Sequence, residues 1–191
     1  KACEPVHVQL NLDDSMVAVI NRTYHPQKGL KIEAEVYSVD GKRLHHQEQQ
    51  IKMAAPDAYK SFSLASVLKK GTGVNLILLR LKDASGKLIS HNTYWLEATH
   101  KYHSLQEMPA AKITATMMGS LKNNVSNQWT IKFTNPTDKI AFFIHPALLS
   151  GETEIRPSFW QDNYFTLAPG ESIVTVITVP ARLINGKNLK V

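Results

Sequence analysis

Nearly every apolar segment of this chain alternates with period two or forms a short unbroken run, and no stretch carries a helical period of useful length. Successive side chains of a strand point to opposite faces, so the pattern builds half-buried strands and excludes a helical bundle. Val6, Val8, Leu10 and Leu12 alternate with His7, Gln9 and Asn11, and Asp13-Asp14 then turns the chain into Met16–Ile20. Ile32, Ala34 and Val36 alternate with Glu33 and Glu35, which predicts a strand with one wet face. Asp40-Gly41 is the strongest short hairpin signal, and the polar strand leaving it, His45 to Met53, suits a sheet edge. Phe62 and Leu64 form a further short element, and Ala65 to Lys70 a helical turn at most. Leu76 to Leu81 is apolar on both faces, as a central strand is. Asp83-Ala84-Ser85-Gly86 turns the chain back into Leu88–Leu96. About seven strands at this spacing suit an immunoglobulin-like sandwich.

Thr99 to Ala110 breaks the pattern: it is polar, carries His100 and His103, and reads as a linker or crossing segment. The second half then repeats the grammar of the first. Ile113, Ala115 and Met117 alternate, Asn123-Asn124 and Ser126-Asn127 mark a turn, and Trp129, Ile131 and Phe133 alternate until Asn135-Pro136. Ile140 to Ile144 is a nearly continuous apolar run, and Gly151 to Pro157 reads as a loop. Tyr164–Leu167 and Ile173–Val179 flank a Pro169-Gly170 turn, and Asn188 to Val191 opens a last strand that the chain is expected to end within. With 191 residues, two domains of about 100 each fit the length. The predicted architecture is all-β: two immunoglobulin-like β-sandwich domains in tandem, residues 1–98 and 111–191, joined by a linker at 99–110. No repetition between the halves is visible residue by residue.

At 43% hydrophobic residues the chain has the means to pack a core. A formal net charge of +6 raises the question of nucleic acid. The basic residues are scattered, however. Lys42-Arg43 and Lys69-Lys70 are the tight pairs, and no basic stripe is interleaved with aromatics, so no nucleic-acid partner is expected. No apolar run approaches the ~18 residues of a membrane span, so none is predicted. Lys1-Ala2-Cys3 lacks an initiator Met, which predicts a chain processed or cut from something longer. Cys3 stands alone, which excludes an internal disulfide and fits a small buried hydrophobe better than a catalytic thiol.

Sugar hydrolysis needs two carboxylates, ~5 Å apart in retaining enzymes and ~6.5–9.5 Å in inverting ones. Here Asp13, Asp14, Asp40, Asp83 and Asp138 fall at turns, and Glu33 and Glu35 on a wet face, so solvated surface charge is the expectation and no catalytic residue is assigned. His45 and His46 are adjacent and point to opposite faces. His100-x-x-His103 has no Cys or acidic partner at useful spacing, and Asp13-Asp14 lacks the alternating oxygen ligands of a calcium loop, so no metal is expected. With no nucleophile elbow, phosphate-cradling glycine loop or dinucleotide fingerprint, no cofactor is expected either. Of Tyr94 and Trp95, one must face a core, and Trp129 is expected in the core. Trp160 sits in a predicted loop, with Phe159 and Tyr164 nearby. Packing against a neighbouring domain and stacking on a sugar ring are both open to it, which makes Trp160 and Tyr164 the candidate carbohydrate contacts. Asn21-Arg22-Thr23 and Asn124-Val125-Ser126 are sequons that matter only in a glycosylating host.

Several segments together resemble the C-terminal region of family-2 glycoside hydrolases, in the exo-β-D-glucosaminidase and β-mannosidase-like branch. Lys1-Ala2-Cys3-Glu4-Pro5-Val6-His7-Val8-Gln9 resembles the stretch that follows the catalytic barrel there. Asn21-Arg22-Thr23-Tyr24 and Asn92-Thr93-Tyr94-Trp95-Leu96 resemble strands of the next sandwich. Ala141-Phe142-Phe143-Ile144, Asp162-Asn163-Tyr164-Phe165 and Leu167-Ala168-Pro169-Gly170-Glu171 resemble the final immunoglobulin-like domain. The resemblance runs in register over nearly the whole chain. It implies a parent that is a retaining exo-acting β-glycosidase of carbohydrate degradation, with its barrel upstream of Lys1 and a periplasmic or extracellular bacterial setting. This chain would be a non-catalytic, two-sandwich portion partnered with that barrel. A carbohydrate-binding module with glycan as its partner, or an adhesin-like interaction domain, would share the fold.

Overall fold

The structure is a computed structural model that describes residues 4–54, 56–70, 73–184 and 186–191; Cys3 lies outside them. The chain divides into two compact units, Lys1–Met108 and Pro109–Val191, and both are built of strands. Among the described residues, no helix is long and apolar enough to cross a membrane.

The first unit runs β1 (Val6–Leu10), β2 (Met16–Asn21), β3 (Gln27–Tyr37), β4 (Arg43–Ala54), β5 (Asp57–Ser63), helix α1 (Ala65–Lys70), β6 (Asn75–Lys82) and β7 (Leu88–Leu96). Its strands form two antiparallel sheets, ordered β1-β2-β5 and β4-β3-β6-β7. The core is drawn from alternate positions of both: Val8 and Leu10, Val17 and Val19, Ile32, Ala34 and Val36, then Ile77, Leu79 and Leu81. Each valine, leucine and isoleucine among them contributes about 1.5–3 kcal/mol when fully buried. β4 lies at a sheet edge and β6 is internal, as their polarity predicts. Tyr94 is the member of its pair that meets the core, its hydroxyl accepting from Leu10 N at 3.0 Å, and Trp95 turns outward. Residues 99–108 belong to this unit. They carry a short 3-10 turn, His103–Leu105, and begin at a corner where the Glu97 carboxylate accepts from the backbone of Thr99 and Lys101.

The second unit contains β8 (Thr114–Lys122), β9 (Ser126–Thr134), β10 (Ala141–Ile144), β11 (Leu149–Ser150), β12 (Thr153–Glu154), β13 (Phe159–Trp160), β14 (Phe165–Leu167), β15 (Ser172–Pro180) and β16 (Leu189–Lys190). The sheets are β13-β15-β9-β8, β10-β14 and β12-β11-β16. β9 and β15 pair over their full length, Ser172 opposite Thr134 through Pro180 opposite Ser126. Ile131, Phe133, Phe165, Leu167, Ile177 and Val179 form the centre of the core. Trp129 is half-buried against it.

Three local expectations are corrected. Residues 151–157 are not simply a loop, because β11 and β12 make a tight hairpin across Gly151-Glu152. Trp160 lies in a short strand paired with β15. The alternation of Ala115 and Met117 does not bury a face: every residue of β8 is exposed, Met117 by 67%, and the register slips between Met117 and Gly119.

The two units share one construction that the residue-level comparison misses. At the end of β2, Asn21 is buried. Its Nδ2 donates to His25 O at 3.0 Å, while its Oδ1 accepts from Thr23 N at 3.0 Å and Thr23 Oγ1 at 2.6 Å. After β9, Asn135 is buried in the same way. Its Nδ2 donates to Lys139 O at 2.7 Å, and its Oδ1 accepts from Thr137 N at 3.2 Å and Thr137 Oγ1 at 2.7 Å. Asn-x-Thr is thus a turn device in both places, and the sequon at Asn21 is occupied by the fold. Asn135 goes further: its Nδ2 also donates to Leu167 O and Ala168 O, both at 3.1 Å, and its backbone exchanges bonds with Gly170 and Glu171. It therefore fixes the Pro169-Gly170 turn, where Gly170 has φ +73.

Candidate functional site

Trp160 and Tyr164 point different ways. The Trp160 ring packs onto the second core with its centroid 6.1 Å from that of Phe133, and its Nε1 is buried without a hydrogen-bond partner among the described residues. Tyr164 is 50% exposed and joins a row of rings. Its centroid is 4.9 Å from His145, stacked at 7°, and 4.9 Å from Phe143, tilted at 32°; Phe142 continues the row at 5.7 Å from Phe143. Phe143 is itself 45% exposed.

The backbone is shaped to present this pair. Phe143 has φ 53 and Tyr164 φ 54, a region where bulky residues are rare and which costs of order 1–3 kcal/mol each. At Phe143 the cause is the register shift of β10 between Ala141 and Ile144, held by Phe143 N donating to Thr166 Oγ1 at 3.2 Å. At Tyr164 it is a relay of side-chain caps: Thr175 Oγ1 accepts from Asp162 N, Asp162 Oδ1 from Asn163 N and Asn163 Oδ1 from Tyr164 N. Arg156, hydrogen-bonded to Glu154, adds a charged pair close enough to feel Tyr164 and His145. The arrangement offers apolar and charged contact. Sequence reasoning missed Phe143 and His145. The available signal was the adjacency of Phe142 and Phe143, which cannot both face inward from one strand.

The carboxylates tell a different story from the wet face expected of them. Glu35 is buried on the face of β3 opposite the first core, a correction to its reading as solvated charge. That face is shielded: Tyr37, Leu76 and Leu78, in register around it, are buried too. Glu35 accepts from Arg80 at 2.9 Å and Arg43 at 3.1 Å. Glu33 accepts from Lys82 at 2.6 Å. Burial pushes the Glu33 carboxyl up, but the Lys82 hydrogen bond and the charges of Arg80, Lys82 and His46 outweigh it and hold the group below the usual range. A general acid for glycoside cleavage needs the opposite shift. Glu33, His46 and Glu48 bring ligand atoms within 4.8 Å of one another, yet Glu33 is matched by Lys82 and Glu48 by Lys31 at 2.6 Å, so the cluster's charge is already balanced within the sheet.

Tyr37 gives this lattice a measurable signature. Burial, then the charge and hydrogen bond of Glu35, push its phenol up to about 12. The folded pKa is raised, so the stabilisation is complete below the unfolded value near 10 and is lost as pH rises through the folded one. Tyr37→Phe is expected to flatten the decline in urea stability between about pH 10 and 12 relative to the unmodified chain. Parallel declines in the two proteins would refute it.

The family model for the exo-β-D-glucosaminidase Ig-fold domain matches residues 92–191, just over half of the chain. The chain belongs to this family. A second model, the mannosidase Ig/CBM-like domain, matches residues 15–100. The exo-β-D-glucosaminidase of Arthroderma benhamiae is 29% identical over 91% of this chain and 22% of its own length. That of Amycolatopsis orientalis is 25% identical over 100% of this chain and 20% of its own. The crystal structure of the A. orientalis exo-chitosanase CsxA matches 99% of this chain and 25% of its own at a TM-score of 0.86 and 21% identity, a likeness of fold. The Ig-fold chain thus spans about a fifth to a quarter of the length of these relatives, and it aligns with their immunoglobulin-like region.

Proposed function

We propose that the chain is the C-terminal immunoglobulin-like part of a retaining, exo-acting β-glycosidase of the glucosaminidase type, and that it buttresses the catalytic barrel rather than cleaving sugar itself. The supporting observation is the tandem match of two sandwich families across residues 15–191, in a chain spanning only a fifth to a quarter of glycosidases that carry the same region. The commitment of Glu33 and Glu35 to ion pairs agrees with it. The expected result is no release of aryl alcohol from an aryl β-glucosaminide or β-mannoside by this chain alone, and a stable complex when it is mixed with the barrel of its parent. Turnover above a buffer blank sinks the proposal, and so does failure to bind the barrel.

The exposed ring row supports a second reading, in which Tyr164 contacts glycan. A net charge of +6 opposes adsorption to a polymer of protonated glucosamine, so a neutral β-mannan oligosaccharide is the better probe. Affinity that vanishes in Tyr164→Ala supports this reading, and an affinity unchanged by the substitution ends it.

A further inference from the structure

The second unit carries a polar hollow of about 620 Å³ between the β8–β9 hairpin and the segment after β15, within the ~300–1,000 Å³ range of small-ligand sites. Lys122, Arg182 and Lys187 line it, and among the described residues no lining group is acidic. None of these three cations forms an ion pair among the described residues. Asn124 stands exposed at the rim and Trp129 lines the wall. The telling group is Asn127. It is 8% exposed, its backbone is used in the sheet ladder, and its carboxamide has no hydrogen-bond partner among the described residues while lining the same space. Its carboxamide atoms reach the solvent of the hollow rather than being sealed in the core, so they are open to an incoming polar group.

We propose that this hollow binds an anionic saccharide, a short oligosaccharide bearing carboxylate or sulfate groups. The three cations supply the charge complement to the anionic groups. The Asn127 amide and the half-buried Trp129 ring supply what a bare counter-ion site lacks: a donor–acceptor pair for hydroxyls and an apolar wall for a pyranose face. An acidic peptide would satisfy the cations without needing either. The lining also repels the protonated amino sugar that the relatives' names suggest, so this site differs in ligand class from the activity proposed above and stands independently of it.

The test follows the Trp129 indole N–H by NMR in the full chain, with four probes: trigalacturonate, β-mannotriose, a glucosamine trimer and a hexaglutamate peptide. Trigalacturonate is expected to shift and saturate the signal at millimolar concentration, with at least about tenfold weaker response to the other three. Raising salt should weaken it. Arg182→Gln with Lys187→Gln should lower the affinity at least about tenfold while leaving the urea midpoint unchanged, because both side chains are exposed. Equal binding of β-mannotriose overturns the anionic assignment, equal binding of hexaglutamate overturns the saccharide assignment, and no saturable shift with trigalacturonate overturns the site.

Discussion

Asn135→Ala is expected to cost the second unit about 3 kcal/mol. The Asn135 amide donates to three carbonyls, at 2.7, 3.1 and 3.1 Å, and its Oδ1 accepts from Thr137. A typical hydrogen bond contributes about 1 kcal/mol net, and a buried acceptor left empty costs about 1–3 kcal/mol. Alanine removes all the bonds at once, in a residue with no measurable exposure, and water has little room to replace them. Hydrogen-exchange mass spectrometry in a urea series should show lost protection across Phe165–Leu167 and Ser172–Pro180, with Leu76–Leu81 in the first unit unaffected. Thr137→Val, which removes only a hydroxyl partner, should lose about a third as much. Native-like protection in Asn135→Ala would show that the turn is held by its backbone alone.

Glu35→Gln is expected to cost the first unit a comparable amount, about 3 kcal/mol. Glu35 and Arg80 are 8% and 9% exposed and 2.9 Å apart. Desolvating two charges leaves such a pair little net gain, but removing one charge leaves the other buried without its complement, which typically costs about 3–5 kcal/mol. The lower end is expected here because the Arg80 guanidinium also lies in the field of Glu33. Glu35→Leu combined with Arg80→Met should recover most of the loss, since neither charge then remains to be desolvated. The same exchange experiment reports it, now with Leu76–Leu81 losing protection and the second unit unchanged. A double variant no better than Glu35→Gln would mean that packing, not charge pairing, sets the cost.

What the sequence made legible was whatever obeys a period. Alternation placed the cores at Val8, Ile32 and Ile131, Asp40-Gly41 placed a hairpin, and the polarity of β4 placed it at an edge. Short strands such as β11, β12 and β13 carry two residues each, too few to show a period. Glu35 was misread because alternation says which face a residue takes, not whether that face is wet. Trp160 and Tyr164 were drawn together by proximity in sequence, but a strand ends between them and a left-handed residue turns the second outward. The Asn-x-Thr device escaped because its repetition lies in hydrogen bonds, not in the surrounding letters.

The exposure of β8 bears on how the chain behaves as a reagent. Nine residues give about 30 Å of strand with one ladder satisfied by β9 and Met117, Met118 and Leu121 open to water. Such an edge is a template for any extended segment it meets, including another molecule of the same chain. Self-association at high concentration is expected to run through this strand. A lysine at Met117 is the place to improve handling with least disturbance, since that side chain is already mostly in solvent.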